Sequence, residues 1–301
     1  MIKLPIGADI NNIINDLRSL SWEVFDILLH FSNLIKENKN HQNIIQYKDK
    51  NNPVTLADIR VNEKIIQRIN DNYSKFGWKI LSEENIDLDS NHLNNYSEWL
   101  WVIDPLDGTK DFIQGTGNYA MHLALNYKNK PFLGLVLIPS KNELWLSDGV
   151  KVWVEKRNGY KEKKLLKQNK SLNEMTLVTS KNHSNQLLNL LIDKIQFKKK
   201  IVMGSIGCKV ASIIRGESDI YISICLDGKS FPKDWDFAAP EAILKAAGGR
   251  ITNLENEELI YNKPNFNQSG IIVATNNNLT HKVICTEIKQ IIKENSLFPL
   301  I

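Results

Sequence analysis

The sequence predicts a mixed α/β protein in two parts, an α+β half over residues 1–170 and an α/β half over residues 171–301. Three observations predict it. Two amphipathic helical patterns open the chain. A block of short apolar strands, separated by turn residues at hairpin spacing, follows. From residue 176 onward, strand and helix patterns alternate to the C-terminus, as they do where helices pack on a largely parallel sheet. At about 150 residues per domain, 301 residues suit one large domain or two ordinary ones.

From Asp9 to Lys36, Ile10, Ile13, Ile14, Leu17, Val24, Leu28, Phe31 and Ile35 recur at helical steps, and the polar run KENKNHQ ends the pattern. A second helix follows Pro53-Val54-Thr55 and carries Ile59, Ile65, Ile66 and Ile69. Thr55 with Asp58 three residues on reads as its capping box. Lys79–Ser82 and Trp99–Ile103 read as strands. Further strands are expected near Tyr119–Tyr127, Pro131–Ile138, Glu143–Ser147 and Lys151–Glu155. KEKKLLKQNK at 161–170 is the expected junction between the halves. Beyond it, strands are expected at Thr176–Thr179, Lys200–Met203, Asp219–Ile224 and Ser269–Thr275. Helices are expected at His183–Gln196, Cys208–Arg215, Asp236–Ala247 and 279–293, the third closed by Gly248-Gly249.

Composition excludes several function classes. Lys+Arg 38 against Asp+Glu 34 gives a net charge of +4, too small and too evenly mixed for a nucleic-acid or membrane surface. Cys208, Cys225 and Cys285 form no CxxC pair, so free thiols in a reducing compartment are expected. MIKLPIGADI lacks the layout of a secretory signal, and the longest apolar run, PFLGLVLIP, is far below the roughly 18 residues that span a bilayer. The expected location is the cytoplasm. Neither GxGxxG nor a Walker loop is present, and the histidines lack paired spacing; His122 reads as structural and Trp235 as a packing residue.

The chemistry concentrates in Asp104-Pro105-Leu106-Asp107-Gly108-Thr109. An apolar strand stops at Asp104 and the chain turns tightly. Asp104, Asp107 and the Leu106 carbonyl then converge as hard oxygen donors suited to Mg²⁺ or Ca²⁺. On spacing alone a plain β-turn accounts for the same residues. Glu83-Glu84 after one strand and Asp236 before one helix add carboxylates, though each also fits a solvated loop or a helix N-cap. Asp58 equally fits the third residue of its helix. If these groups meet, their repulsion requires cations, and paired divalent ions most often serve phosphoryl transfer to water.

PVTLADIRVNEKI at 53–65, LSEEN at 81–85, DPLDGTKDF at 104–112 and WDFAAPEAILKAAGG at 235–249 resemble, in order, the motifs of the inositol monophosphatase superfamily. The resemblance spans nearly the whole chain. It implies a layered αβαβα sugar-phosphatase fold, Mg²⁺ dependence and hydrolysis of a small phosphomonoester. Within the superfamily, these motifs and Gly204-Ser205-Ile206-Gly207-Cys208-Lys209 look most like the CysQ-type 3′(2′),5′-bisphosphate nucleotidases. Those enzymes remove the 3′-phosphate of adenosine 3′,5′-bisphosphate, a by-product of sulfate assimilation. The segment CLDGKSFPKDWD departs from that pattern.

Matched residue by residue, the resemblance implies that Glu83, Asp104, the Leu106 carbonyl, Asp107 and Asp236 hold two Mg²⁺, with Glu84 behind them. Gly108 and Thr109 would bind the phosphate, and Asp58 and Thr109 would orient and deprotonate the attacking water. Ser205, Lys209 and Asp236 would contact substrate, with Lys209, Lys229 or Lys233 reading a remote 5′-phosphate. The partner is a small phosphorylated metabolite, not a nucleic-acid polymer or a membrane; a homodimer stays open. The alternatives are an inositol-1-phosphate or fructose-1,6-bisphosphate phosphatase on the same scaffold, or a silent relative that senses a phosphorylated ligand.

Overall fold

The computed structural model describes residues 3–37, 45–49, 52–88, 97–166, 170–180, 186–226 and 231–299. In chain order the elements are α1 (Ile10–Glu37), β1 (Ile45–Asp49), β2 (Asn52–Thr55), α2 (Leu56–Tyr73), β3 (Lys79–Ser82), β4 (Trp99–Asp107), α3 (Thr109–Ile113), β5 (Ala120–Tyr127), β6 (Lys130–Ile138), β7 (Glu143–Ser147), β8 (Val152–Glu155) and β9 (Lys161–Lys163). Then come β10 (Thr176–Ser180), α4 (Gln186–Ile195), β11 (Lys199–Met203), α5 (Ile206–Arg215), β12 (Ile220–Cys225), α6 (Asp234–Ala247), β13 (Arg250–Asn253), β14 (Gly270–Thr275) and α7 (Asn278–Glu294).

Strands β3 to β9 form a seven-stranded sheet in sequence order, parallel only between β3 and β4. The second sheet runs β11-β10-β12-β14-β13, parallel through its first three strands and antiparallel after them. Side-chain alternation along β4 shows how the layers arise. Trp99, Trp101 and Ile103 enter one core with α1 and α2, whereas Leu100 and Val102 enter another with α5 and α6. That second core continues into β12 and β14. Their opposite face packs on α4 and α7. The layers are therefore α1/α2, large sheet, α5/α6, small sheet, α4/α7, the αβαβα order expected.

The middle layer is close. Ala120, Ala124 and Gly134 on the large sheet face Ala238, Ala239 and Ala242 of α6. A Cβ at Gly134 would meet the Ala242 Cβ at 2.7 Å and the Ala239 carbonyl at 2.8 Å. Only glycine lets the helix sit there.

Most expected elements form within a residue or two. The helix expected from His183 is described over Gln186–Ile195, and residues 183–185 lie outside the described ones. Two differences stand out. Lys161–Lys163, read as junction, pairs with β8 as the sheet's last strand, and β13 also went unread; both are short and polar at their ends. Asp236 is not the N-cap of α6. Lys233 holds that place, and Asp236 at the third position bonds back to the Lys233 backbone. Among the described residues no helix is long and apolar enough to cross a membrane. Cys208, Cys225 and Cys285 are free thiols.

Candidate active site

The site forms where β4 ends and α2, α5 and α6 begin. β4 carries Asp104 on the face toward α5 and α6, and an irregularity in its pairing between Asp104 and Asp107 lets both aspartates reach one region. The Asp104 carboxylate folds back to accept the Leu106 N–H at 3.0 Å. Gly108 then takes φ 89°, a left-handed conformation, and a Cβ on it would lie 2.8 Å from the Asn118 carbonyl. Thr109 opens α3, and its hydroxyl lies 3.1 Å from the Leu106 carbonyl and 3.3 Å from Asp58 Oδ1.

Asp58 comes from the first turn of α2. Its Oδ2 accepts the Thr55 N–H at 2.8 Å and the Thr55 hydroxyl at 2.6 Å, completing the expected capping box. Oδ1 is turned toward Thr109. Burial pushes the Asp58 pKa up to about 7, against the Thr55 hydrogen bonds and with help from Glu84. Glu83 and Glu84 follow β3 at the start of a short 3₁₀ turn, both half-buried.

Asp107 joins the two halves. Its Oδ2 accepts the Ser205 hydroxyl at 2.6 Å, the Ile206 N–H at 2.5 Å and the Gly207 N–H at 3.4 Å, so it caps the first turn of α5 from outside. Ser205 is the N-cap of α5, fully buried, and its Oγ also accepts the Cys208 N–H. Lys209 is 1% exposed; its ammonium donates to the Gly204 carbonyl and lies 5.3 Å from the centroid of the Tyr221 ring. Burial lowers its pKa, and Asp107, Cys208, Asp236 and Asp111 oppose that shift.

Asp104 is buried, which raises its pKa well above the carboxylate range; Glu83, Asp107, Asp236 and Asp58 raise it further. Asp236 is pushed up to about 7 by burial and then by Asp107. Two like charges 4 Å apart repel by about 4 kcal/mol at an effective dielectric of 20. A hydrogen bond returns about 1 kcal/mol net. Repulsion wins, and the group cannot ionise fully without added positive charge. Carboxylates and the Leu106 carbonyl are oxygen donors, so they fit a hard divalent cation.

The structure thus brings together Glu83, Asp104, Asp107 and Asp236, which act electrostatically on one another, and places the Asp58–Thr109 pair beside them. Ser205 and Lys209 lie behind Asp107, engaged by protein groups. The Lys233 ammonium is tied to Asn267 Oδ1 at 2.6 Å and the Asn265 carbonyl at 3.2 Å. Lys229 lies outside the described residues. Sequence reading took His122 as structural. It sits fully buried on β5 directly opposite Asp104, with Nε2 3.4 Å from Asp107 Oδ2. The only local signal was a histidine in an otherwise apolar strand.

Residues 20–293 match the model of the inositol monophosphatase family, and the chain belongs to that family of phosphatases. Enzymes of this family use divalent metal ions, and the acidic cluster can bind one. Among individual relatives, the chain is 29% identical over 238 residues to the 3′(2′),5′-bisphosphate nucleotidase CysQ of Buchnera aphidicola subsp. Acyrthosiphon pisum (strain APS), covering 76% of this chain and 83% of that protein. It is 27% identical over 218 residues to inositol monophosphatase 3 of Xenopus tropicalis, covering 69% of this chain and 56% of that one. The solved Thermotoga maritima IMPase superposes with a TM-score of 0.71 at 22% identity, over 94% of this chain and 99% of that one, a likeness of fold.

Proposed function

We propose that the protein is a Mg²⁺-dependent 3′(2′),5′-bisphosphate nucleotidase, converting adenosine 3′,5′-bisphosphate and water to AMP and phosphate. The observation that carries the chemistry is the buried Asp104 among Glu83, Asp107 and Asp236, with the Asp58–Thr109 pair beside it. The CysQ likeness supports the substrate. The intact acidic set favours an enzyme over a silent sensor.

In this reading Glu83, Asp104, the Leu106 carbonyl, Asp107 and Asp236 hold two Mg²⁺. Such ions ease deprotonation of water and offset charge on the phosphoryl and leaving oxygens. The chain's own groups position and move the proton. The Thr109 hydroxyl accepts the proton of the attacking water as its own passes to Asp58 Oδ1, a carboxylate whose raised pKa suits a base near neutral pH. The water oxygen bonds to phosphorus as the bond to the sugar oxygen breaks; the leaving oxygen takes a proton from solvent water, and Asp58 returns its own proton to solvent, so the protons balance. Backbone N–H groups of Gly108 and Thr109 orient the phosphate.

One observation favours the inositol-1-phosphate alternative. Of the three lysines nominated for a remote 5′-phosphate, Lys209 is buried on Gly204 and Lys233 is bound to Asn265 and Asn267. A panel of adenosine 3′,5′-bisphosphate, inositol-1-phosphate and fructose-1,6-bisphosphate, each with and without Mg²⁺, tests the assignment. The expected result is metal-dependent phosphate release with the nucleotide preferred. A higher kcat/KM for inositol-1-phosphate hands the assignment to the alternative.

A further inference from the structure

Asn62 lies on the buried stripe of α2, yet it is polar. Asp58, Asn62, Ile65 and Ile69 follow one another along that stripe at helical steps, and all four are buried. Asparagine is a poor helix former, because its side chain competes with the backbone for hydrogen bonds. A buried amide in mid-helix therefore needs partners outside its own helix.

Both partners come from the segment that carries Glu83 and Glu84. The Ser82 hydroxyl donates to Asn62 Oδ1 at 2.7 Å, and Asn62 Nδ2 donates to Asn85 Oδ1 at 2.7 Å. Ser82 is the buried last residue of β3, and Asn85 is half-buried in the 3₁₀ turn that follows. One side-chain amide thus spans the Glu83-Glu84 pair, holding the residue before it and the residue after it. An amide suits this because it offers an acceptor and a donor together, which neither a carboxylate nor an apolar side chain does.

The place of this contact in the fold gives it consequence. β3 is the first strand of the large sheet and, among the described residues, pairs with β4 alone. That pairing is parallel and sets Ser82 beside Ile103, so the chain reaches Glu83 next to Asp104. Ionised Glu83 and Glu84 stand among like charges, Glu83 acting on Asp104 and Glu84 on Asp58, and repulsion pushes their segment outward from the sheet edge. α2, by contrast, shares a core with α1 and β4. Asn62 fastens the segment to that helix, four residues on from Asp58.

We propose that Asn62 is a positioning residue for the metal-binding carboxylates: through Ser82 and Asn85 it holds Glu83 at the cluster, in fixed relation to Asp58, so that a divalent cation meets a preformed ligand. Asn62 has this role only if the carboxylates are the Mg²⁺ site proposed above. Its amide is engaged by Ser82 and Asn85, so it acts through Glu83 and does not itself ligate. Without it, cation binding must also draw Glu83 in against its neighbours, and affinity falls.

Calorimetry on the full-length chain, with Mg²⁺ as the only ligand and no substrate, tests this at a temperature where each metal-free variant is folded by circular dichroism. Asn62→Leu keeps nearly the same shape and removes both hydrogen bonds. The Kd for Mg²⁺ should rise by about tenfold in Asn62→Leu. It should rise by about threefold in Ser82→Ala, which removes one bond. In a Glu83→Gln background, Asn62→Leu should add less than about twofold, because a residue that acts through Glu83 has nothing left to position. A merely structural role lowers the melting temperature in both backgrounds and leaves the Kd of the folded chain unchanged. Unchanged Mg²⁺ affinity in Asn62→Leu and Ser82→Ala, or a loss that persists in full in Glu83→Gln, overturns the positioning role and leaves the metal site standing. Failure of Mg²⁺ to bind the wild type removes the metal site itself, and the positioning role with it. Should Asn62→Leu not fold, Ser82→Ala, alone and with Glu83→Gln, decides by the same comparison.

Discussion

Asp58 serves α2 with one oxygen and the site with the other. Oδ2 takes both Thr55 bonds of the capping box, and Oδ1 takes the Thr109 hydroxyl. The two uses separate by mutation. Thr109→Val removes the hydroxyl that relays a proton but leaves the capping box whole. We expect kcat to fall by about 10²–10⁴-fold with KM nearly unchanged, as for a contact made mainly in the transition state. Asp58→Asn disturbs both, so activity should fall and stability should drop by about 1 kcal/mol. Steady-state kinetics and thermal melts of the two variants check this. Full activity in Asp58→Asn with a lowered Tm would reduce Asp58 to a helix cap.

At the scale of elements, the seat of α6 on the large sheet decides where Asp236 points. Ala120, Ala124 and Gly134 make a shallow trough, and Ala238, Ala239 and Ala242 lie in it. Gly134→Ala would push a methyl against the Ala242 side chain and the Ala239 backbone, neither of which is the far end of a flexible side chain. Overpacking of this kind costs about 1–3 kcal/mol. The urea midpoint should therefore fall, and activity should fall with it because α6 carries Asp236. An unchanged midpoint would show that the helix has room to move outward.

Across the whole molecule, the buried carboxylates set a pH dependence. Burial lifts Asp58 and Asp236 to about 7 and Asp104 well above its usual value. Outside the cluster, Glu241, buried and bonded to the Tyr261 hydroxyl, is also lifted to about 7. Each binds its proton more tightly folded than unfolded. Their stabilisation is complete below the unfolded carboxyl pKa near 4 and is lost as pH rises through the folded values near 7. Carboxylates held low, such as Glu23 by its hydrogen bond to Lys64, have the opposite sign and finish titrating below that window. The metal-free Tm should thus decline from about pH 5 to about pH 8. A saturating divalent cation binds the deprotonated cluster, so it should raise Tm more at the higher pH. Glu241 lies outside the cluster, so part of the decline should persist with metal. A metal-free Tm that rises across this range would contradict the burial of these groups as ionisable acids.

Local interactions were legible in the chain before any fold was known. The amphipathic period of α1, the Thr55–Asp58 capping box and the turn through Asp104, Asp107 and Gly108 depend on residues a few positions apart, so their spacing determines them. Four ordered motifs made the family legible too. What only the tertiary structure decided is non-local. His122 faces Asp104 because α3 and its flanking turns set the register of β5 on β4, and no short spacing encodes that register. Ser205 and Lys209 read as polar groups available to substrate, but the packing of α5 against β5 and β12 buries them behind Asp107. Asp236 looked like an N-cap from its neighbours. The helix begins three residues earlier, where the Lys233–Asn267 bridge and the hydrogen bond from the Asp234 N–H to the Phe266 carbonyl hold its start. Spacing along the chain determines which groups can meet locally. Burial and register, which decide which of them face the site, come from contacts between segments 18 to 98 residues apart.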